Sequence, residues 1–186
     1  MPKNAAILMV RHAEKPASDD DPTLAVPGQE RAQAYVIYFQ NYALGTTPRT
    51  ISYIFAAADS DASHRPYLTI APLAAALKLE IDAQHKDLDY QKVADDLLQN
   101  AKYDNATTLI CWHHGEILAL AGALGVNPAT LPPSAHWPPE PWPDEVFGWV
   151  LQLVYDANGT IDPAQTCCLS QHLMYDDNGQ EPGTPA

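Results

Sequence analysis

The sequence predicts an α/β domain: a three-layer sandwich with a mostly parallel sheet, helices on both faces, and a C-terminal antiparallel hairpin. Two observations carry this. Short apolar runs of strand length alternate with longer stretches whose apolar residues recur at helical spacing. At least two of those runs end abruptly in histidine, so that polar chemistry begins where a core strand stops.

The elements follow in order. Ile7-Leu8-Met9-Val10 is an apolar run, and Pro16 forbids a helix through this point, so residues 7–10 form a strand. Residues 28–44 carry Ala32, Tyr35, Val36, Phe39 and Ala43 on one helical face. Residues 51–57 are a second strand. Residues 63–77 are rich in Ala and Leu and form a helix, with Pro66 in its first turn, where proline is tolerated. Pro72 inside that stretch predicts a kink or a break. Residues 90–101 are amphipathic. Residues 107–112, Thr-Thr-Leu-Ile-Cys-Trp, are a strand, and a helix over 116–124 ends at Gly125.

Between Asn127 and Asp144 lie seven prolines, with Trp137 and Trp142 among them. This composition predicts a long loop, either a lid or a rigid packed connector. Residues 146–155 read as a strand, and Asp156-Ala157-Asn158-Gly159 has hairpin-turn chemistry. Thr160-Ile161 or residues 166–169 supply the partner strand. Residues 1–175 are expected to form one domain and residues 176–186, polar and rich in Gly and Pro, a flexible tail.

Length and composition narrow the function. A chain of 186 residues, 46% hydrophobic, suits one domain with a real core. The formal net charge is -13, from 10 basic and 23 acidic side chains. Such a chain repels nucleic acid and anionic membranes at long range, and neither is expected as a partner. An anionic substrate then needs a pocket whose local charge opposes the global field. The arginines Arg11, Arg31, Arg49 and Arg65 become individual candidates. No apolar stretch approaches a membrane span, and no signal-peptide pattern is read at the N-terminus. Cys111, Cys167 and Cys168 form no disulfide framework, which points to a reducing cytoplasm.

Three segments carry chemistry. Arg11-His12 follows the first strand, at the carboxyl end where ligands bind in open α/β sheets. His64-Arg65-Pro66 places Arg65 in the first turn of a helix, a phosphate-friendly position. His113-His114-Gly115-Glu116 follows the third long strand. Two arginines and two or three histidines on successive strand-end loops fit phosphoryl transfer through a phosphohistidine. A neutral imidazole attacks phosphorus, arginine forks hold the equatorial oxygens, and a carboxylic acid protonates the leaving oxygen. The cationic side chains supply the charge, so no cofactor and no metal are expected.

In order along the chain stand Arg11-His12, Gly28-x-x-Arg31-Ala32, Ser63-x-Arg65-Pro66-x-x-Thr69 and Trp112-x-His114-Gly115. This series resembles the histidine phosphatase superfamily, related to phosphoglycerate mutases. The likeness is to small bacterial members that open with Arg-His-Ala-Glu-Lys-Pro, and it spans roughly residues 5–155. The resemblance implies a phosphoglycerate mutase-like sheet and makes His12 the phosphorylated nucleophile. It implies Arg11 and Arg65 as phosphate ligands and His114, which directly precedes Gly115, as the second pocket histidine. Ala13 stands where many members carry glycine.

The acid is left open. His114-Gly115-Glu116 has the spacing of members whose donor follows the second histidine, which favours Glu116. The mutase-like branch places its acid after the second helix, where Glu80, Asp82, Asp87 and Asp89 are available. Glu14 and Lys15 either contact substrate or pair with each other. His64 lines the mouth or is solvated. His85, His136 and His172 are isolated, and Asp19-Asp20-Asp21 is a solvated acidic loop.

The expected function is a metal-independent phosphohydrolase acting on a small phosphorylated substrate. The alternative is a phosphatase-like module that binds a phosphorylated ligand without turning it over. A zinc hydrolase fits less well, because adjacent histidines on a strand point to opposite faces. A mutase lacks the extra basic cluster its second acidic group needs. Trp137 and Trp142 are expected to form one wall, suited to a partly apolar leaving group. The sequence does not specify an oligomeric state.

Overall fold

The computed structural model describes residues 1–18, 20–177 and 180–182. Asp19 of the acidic loop, and residues 178–179 and 183–186 of the expected tail, lie outside the described residues. A six-stranded sheet forms the middle layer. Its strands are β1 (Ala6–Arg11), β4 (Ile51–Ala56), β5 (Ile81–Asp82), β6 (Thr107–Trp112), β7 (Trp149–Val154) and β8 (Cys167–Ser170). Their spatial order is β5-β4-β6-β1-β7-β8. The first four in that order are parallel to one another; β7 pairs antiparallel with β1, and β8 antiparallel with β7.

Helices cover both faces. On one, α1 (Val26–Gln40) and α2 (Arg65–Leu77) place Tyr35, Phe39, Ile70 and Leu73 against Leu8, Val10, Ile54, Leu109 and Cys111. On the other, α3 (Tyr90–Gln99) and α4 (Ile117–Ala123) place Val93, Leu97, Ile117 and Leu120 against Ile7, Met9, Ile110 and Trp112. Alternate residues of β1 and β6 thus feed opposite cores, which is why both strands read as continuous apolar runs. Each such side chain taken fully from water contributes about 1.5–3 kcal/mol.

Several boundaries differ from expectation for local reasons. α1 ends at Gln40, because Asn41 donates its side-chain amide to the Ile37 carbonyl at 2.8 Å and closes the helix. β2 (Ala43–Leu44) and β3 (Thr47–Pro48) then form a small hairpin where helix was expected. α2 runs unbroken through Pro72. The backbone hydrogen bond lost there is offset by burial of Ile70, Leu73 and Ala74 on the sheet. Both candidate hairpin partners are used: Ile161 bridges Tyr155, and β8 pairs with residues 149–152.

The proline-rich segment is a packed connector built on two single turns of 3-10 helix, Pro128–Thr130 and Pro133–Ala135. Trp142 is fully buried, stacks near Trp149 with ring centroids 5.4 Å apart, and donates its indole N–H to the Val146 carbonyl at 2.9 Å. The expected tail is not detached from the domain over its described residues. Asp177 is buried, and Gln180 packs against Trp149, whose indole N–H reaches the Gln180 carbonyl. No helix is long and apolar enough to cross a membrane among the described residues.

The sheet register positions the site. β1 and β6 are parallel neighbours, with Arg11 paired to Trp112. The residues that follow, His12 and His113, therefore emerge side by side at one sheet end. The His12 amide continues the ladder by donating to the Trp112 carbonyl at 3.0 Å.

Candidate active site

A cavity of about 1140 Å³ opens at this end of the sheet. Arg11, His12, Arg65, His113 and His114 line it, with Asp144, Glu145 and Phe147 on one wall and residues 175–177 and 180 on another. His12 is 3% exposed. Its Nδ1 lies 2.7 Å from the Ala13 carbonyl oxygen. A carbonyl only accepts, so Nδ1 carries the proton and Nε2 keeps the lone pair. Burial, reinforced by the charges of Arg11 and Arg65, lowers the imidazole to about 2 despite the opposing hydrogen bond to Ala13. His12 is therefore a neutral imidazole with its basic nitrogen left available.

Both arginines donate to backbone carbonyls. Arg11 is 2% exposed. Its Nη1 donates to the carbonyls of Pro143 (3.2 Å), Asp144 (2.6 Å) and Val146 (3.1 Å), and its guanidinium carbon sits 3.9 Å over the Phe147 ring. Its buried Nε makes no hydrogen bond to the described residues. Burial lowers Arg11 to about 10, which leaves it charged at neutral pH. Arg65 donates from Nη1 to the Asp21 carbonyl at 2.8 Å and from Nη2 to the Ala62 carbonyl at 3.2 Å. The carbonyls orient Arg11 without neutralising it, and the nearby carboxylates of Asp144, Glu145 and Glu14 favour its charged form. Thr69 ties the groups together. Its hydroxyl accepts from the Ala13 amide at 2.8 Å and donates to the Arg65 carbonyl at 2.7 Å.

Arg31 also borders the cavity, but it is occupied. Nε contacts both Glu14 oxygens at 3.0 and 3.1 Å, and Nη2 reaches Glu14 at 2.6 Å and Asp177 at 2.8 Å. Nη1 completes the set on Asp177 at 3.0 Å. Burial opposes its charge, but the two carboxylates raise its pKa. Glu14 thus pairs with Arg31, not with Lys15. Lys15 lines the cavity.

Both histidines of the adjacent pair line the cavity, but only His113 contacts His12, edge-on with ring centroids 5.2 Å apart. Burial lowers His113 to about 4. His114, expected as the second pocket histidine, lines the cavity beside it. Its Nε2 lies 3.0 Å from Asp144 Oδ1, and burial lowers its pKa against the pull of that carboxylate. The register accounts for the contact between His12 and His113: His113 directly follows the β6 residue paired with Arg11, just as His12 follows Arg11. The same position was readable in the sequence as the first residue after each apolar run.

Glu116, expected as the acid, does not line the cavity; it is the residue before α4. Asp82 lies in the short edge strand β5, and Asp89 pairs with Lys92 at 2.9 Å. Asp87 differs. Burial, then the negative charge of Glu116, pushes its carboxyl up to about 6. It lines a neighbouring cavity of about 560 Å³ together with Asp59, Asp61, Asp89 and His113. His113 is the wall shared by the two cavities.

Trp137 and Trp142 form no wall of the main cavity, since Trp142 was needed in the core. Phe147, Asp144 and Glu145 stand there instead. His64 precedes α2 and lies outside the lining. Among the described residues, no group of three or more His, Cys, Asp or Glu side chains is arranged to hold a metal ion.

No family model matches the chain, and no curated protein matches its sequence. Solved structures do match. The protein histidine phosphatase SixA, in complex with tungstate, is 17% identical with a TM-score of 0.53, over 89% of this chain and 97% of its own. The fold is that of a histidine phosphatase. A phosphoglycerate mutase from Plasmodium falciparum is 13% identical with a TM-score of 0.47, over 86% of this chain and 88% of its own. A mycobacterial glucosyl-3-phosphoglycerate phosphatase in complex with inorganic phosphate is 14% identical with a TM-score of 0.48, covering 89% and 94%. On this histidine phosphatase fold, the cavity lies outside the carboxyl ends of β1 and β6, the position the parallel-sheet rule gives for a ligand.

Proposed function

We propose that the protein is a metal-independent phosphohydrolase that forms a phosphohistidine on His12. One observation carries the reading: a neutral, Nδ1-protonated imidazole faces two charged arginines that are held by carbonyls. In the first step the Nε2 lone pair attacks phosphorus and the bond to the leaving oxygen breaks. Arg11 and Arg65 stabilise the charge spread over the equatorial oxygens. His113 and His114 add N–H donors toward the same group. We assign the proton for the leaving oxygen to Asp87, half protonated near pH 6, which reaches it from the neighbouring cavity past the shared wall of His113. In the second step the Asp87 carboxylate takes a proton from water, water attacks phosphorus, and the P–N bond breaks to release inorganic phosphate and restore neutral His12. The substrate in this reading is a small phosphomonoester or related phospho-compound.

One observation favours a second reading, a module that binds a phosphorylated ligand without turnover. Neither Glu116 nor Asp87 lines the main cavity with His12. Para-nitrophenyl phosphate separates the two. We expect EDTA-resistant turnover in the wild type, lost in His12→Ala with the fold retained, and an acid-labile phosphohistidine trapped by rapid quench. Absence of turnover at every pH from 4 to 9, with inorganic phosphate still bound, would establish the binding module.

A further inference from the structure

We infer that Asp177, on the segment that follows β8, is a positioning residue for His12 and acts through Arg31 and Glu14. The inference deepens the phosphohistidine reading and rests on it for its kinetic consequence. The chain of contacts is continuous. Asp177 is 1% exposed and is itself fixed, its Oδ2 accepting from the amides of Leu173 at 2.9 Å and Met174 at 3.0 Å. Its two oxygens grip Arg31 as a fork, and the other edge of the same guanidinium grips Glu14. Two bidentate contacts fix a planar cation in all directions, whereas one leaves a hinge.

Glu14 is immediately next to the carbonyl that sets the His12 tautomer. The Ala13–Glu14 peptide is flanked on one side by the His12–Ala13 peptide, which Thr69 pins by accepting from the Ala13 amide. On the other side it is pinned by the Glu14 carboxylate on Arg31 and by the Ala25 amide on the Glu14 carbonyl at 2.9 Å. The Ala13 carbonyl within this frame receives the His12 Nδ1 proton. Loosening Glu14 therefore loosens the acceptor that keeps Nε2 unprotonated.

Two glycines fit the same assembly. A Cβ at Gly148 would lie 2.3 Å from Asp177 Oδ1, so only glycine admits the carboxylate. A Cβ at Gly28 would lie 2.5 Å from the Glu14 carbonyl oxygen, so only glycine lets α1 bring Arg31 this close. Arg11 and Arg65 are held by other carbonyls, at 143–146 and at 21 and 62. The hydrogen bonds that hold Arg11 and Arg65 are thus separate from those of the Asp177 clamp, although both border one cavity, and this separation gives the test.

The experiment records long-range proton–nitrogen spectra of 15N-histidine-labelled wild type, Asp177→Asn and Gly148→Ala, with circular dichroism to establish folding. Gly148→Ala keeps every charge and only displaces the carboxylate. We expect a single Nδ1-protonated His12 in the wild type and a tautomer mixture in both variants. With para-nitrophenyl phosphate, kcat should fall about 100-fold, the scale of a 1 Å misplacement, while the inhibition constant of inorganic phosphate stays within twofold. An unchanged His12 spectrum in the folded variants would overturn the inference, as would phosphate affinity falling in step with kcat. If the wild type turns over nothing, the phosphohydrolase reading fails on its own, and the spectra still decide the role of Asp177.

Discussion

At the scale of single residues, the site works by separating the charge states of groups a few ångströms apart. His12 and His113 are neutral because burial disfavours the imidazolium, and Asp87 holds its proton longer than an ordinary carboxyl for the same reason. The pH dependence follows. With His12 neutral above about pH 2 and His113 above about 4, neither limits activity between pH 5 and 8. The proposed donor does: as pH rises through about 6, Asp87 loses the proton it would give, and kcat/KM for an alkyl phosphate should fall. Asp87→Asn should flatten that limb and lower kcat by about 10²–10⁴, with a smaller loss on an aryl phosphate whose leaving oxygen needs less help. An unaltered limb in the variant would remove Asp87 as donor. Arg65→Ala should raise the inhibition constant of inorganic phosphate about tenfold or more, the scale of losing one charge-assisted hydrogen bond. An unchanged constant would take Arg65 out of the anion pocket.

At the scale of elements, what could be read from sequence is what depends on local pattern. The strands at Ala6–Arg11 and Thr107–Trp112 are visible because both faces are buried and every residue except Arg11 is apolar or small. The placement of Arg11, His12 and Arg65 follows, since each sits at the end of an element that the pattern locates. The motif, read by adjacency to Gly115, points to His114, which lines the cavity, whereas the sheet register brings His113 against His12. Asp177 was not legible. Its neighbourhood is polar and its partner, Arg31, lies 146 positions away, so no local period announces the contact. Trp142 reads as a binding aromatic from composition but is consumed by the core. The α1 contact gives an element-level prediction. Gly28→Ala forces a methyl group to within 2.5 Å of the Glu14 carbonyl, and the helix must shift. A loss of about 1–3 kcal/mol is expected from such overpacking, measured by urea denaturation at pH 7, although alanine has the higher helix propensity. A more stable variant would mean that α1 does not press on the loop as described.

For the whole molecule, the same burial that prepares the site makes the fold sensitive to mild acid. The formal net charge of -13 disfavours the compact state by self-repulsion, and acidification toward the isoelectric point of about 4.6 relieves it. The buried histidines work in the opposite sense. In the unfolded chain each titrates near 6.5, while folded His12 stays neutral down to about 2 and His113 to about 4. Between pH 6.5 and 4 the unfolded state therefore binds more protons at both positions, and stability falls as pH falls. For each group the loss at pH 5 is about 2 kcal/mol, a value set by the unfolded pKa and insensitive to how far below 5 the folded one lies. Asp87 offsets part of this, because its folded carboxyl takes a proton near 6 and the unfolded one only near 3.8. Asp177, held low by Arg31, withdraws its stabilisation only as pH falls below that same carboxylate range, outside the window. Denaturant titrations at pH 7 and pH 5 should thus show a net loss in the wild type, and His12→Gln should remove about 2 kcal/mol of it. Equal pH dependence in the two proteins would mean that His12 is protonated in the folded state at pH 5. An imidazolium there has no lone pair to attack phosphorus, so this stability measurement tests the nucleophile without any substrate.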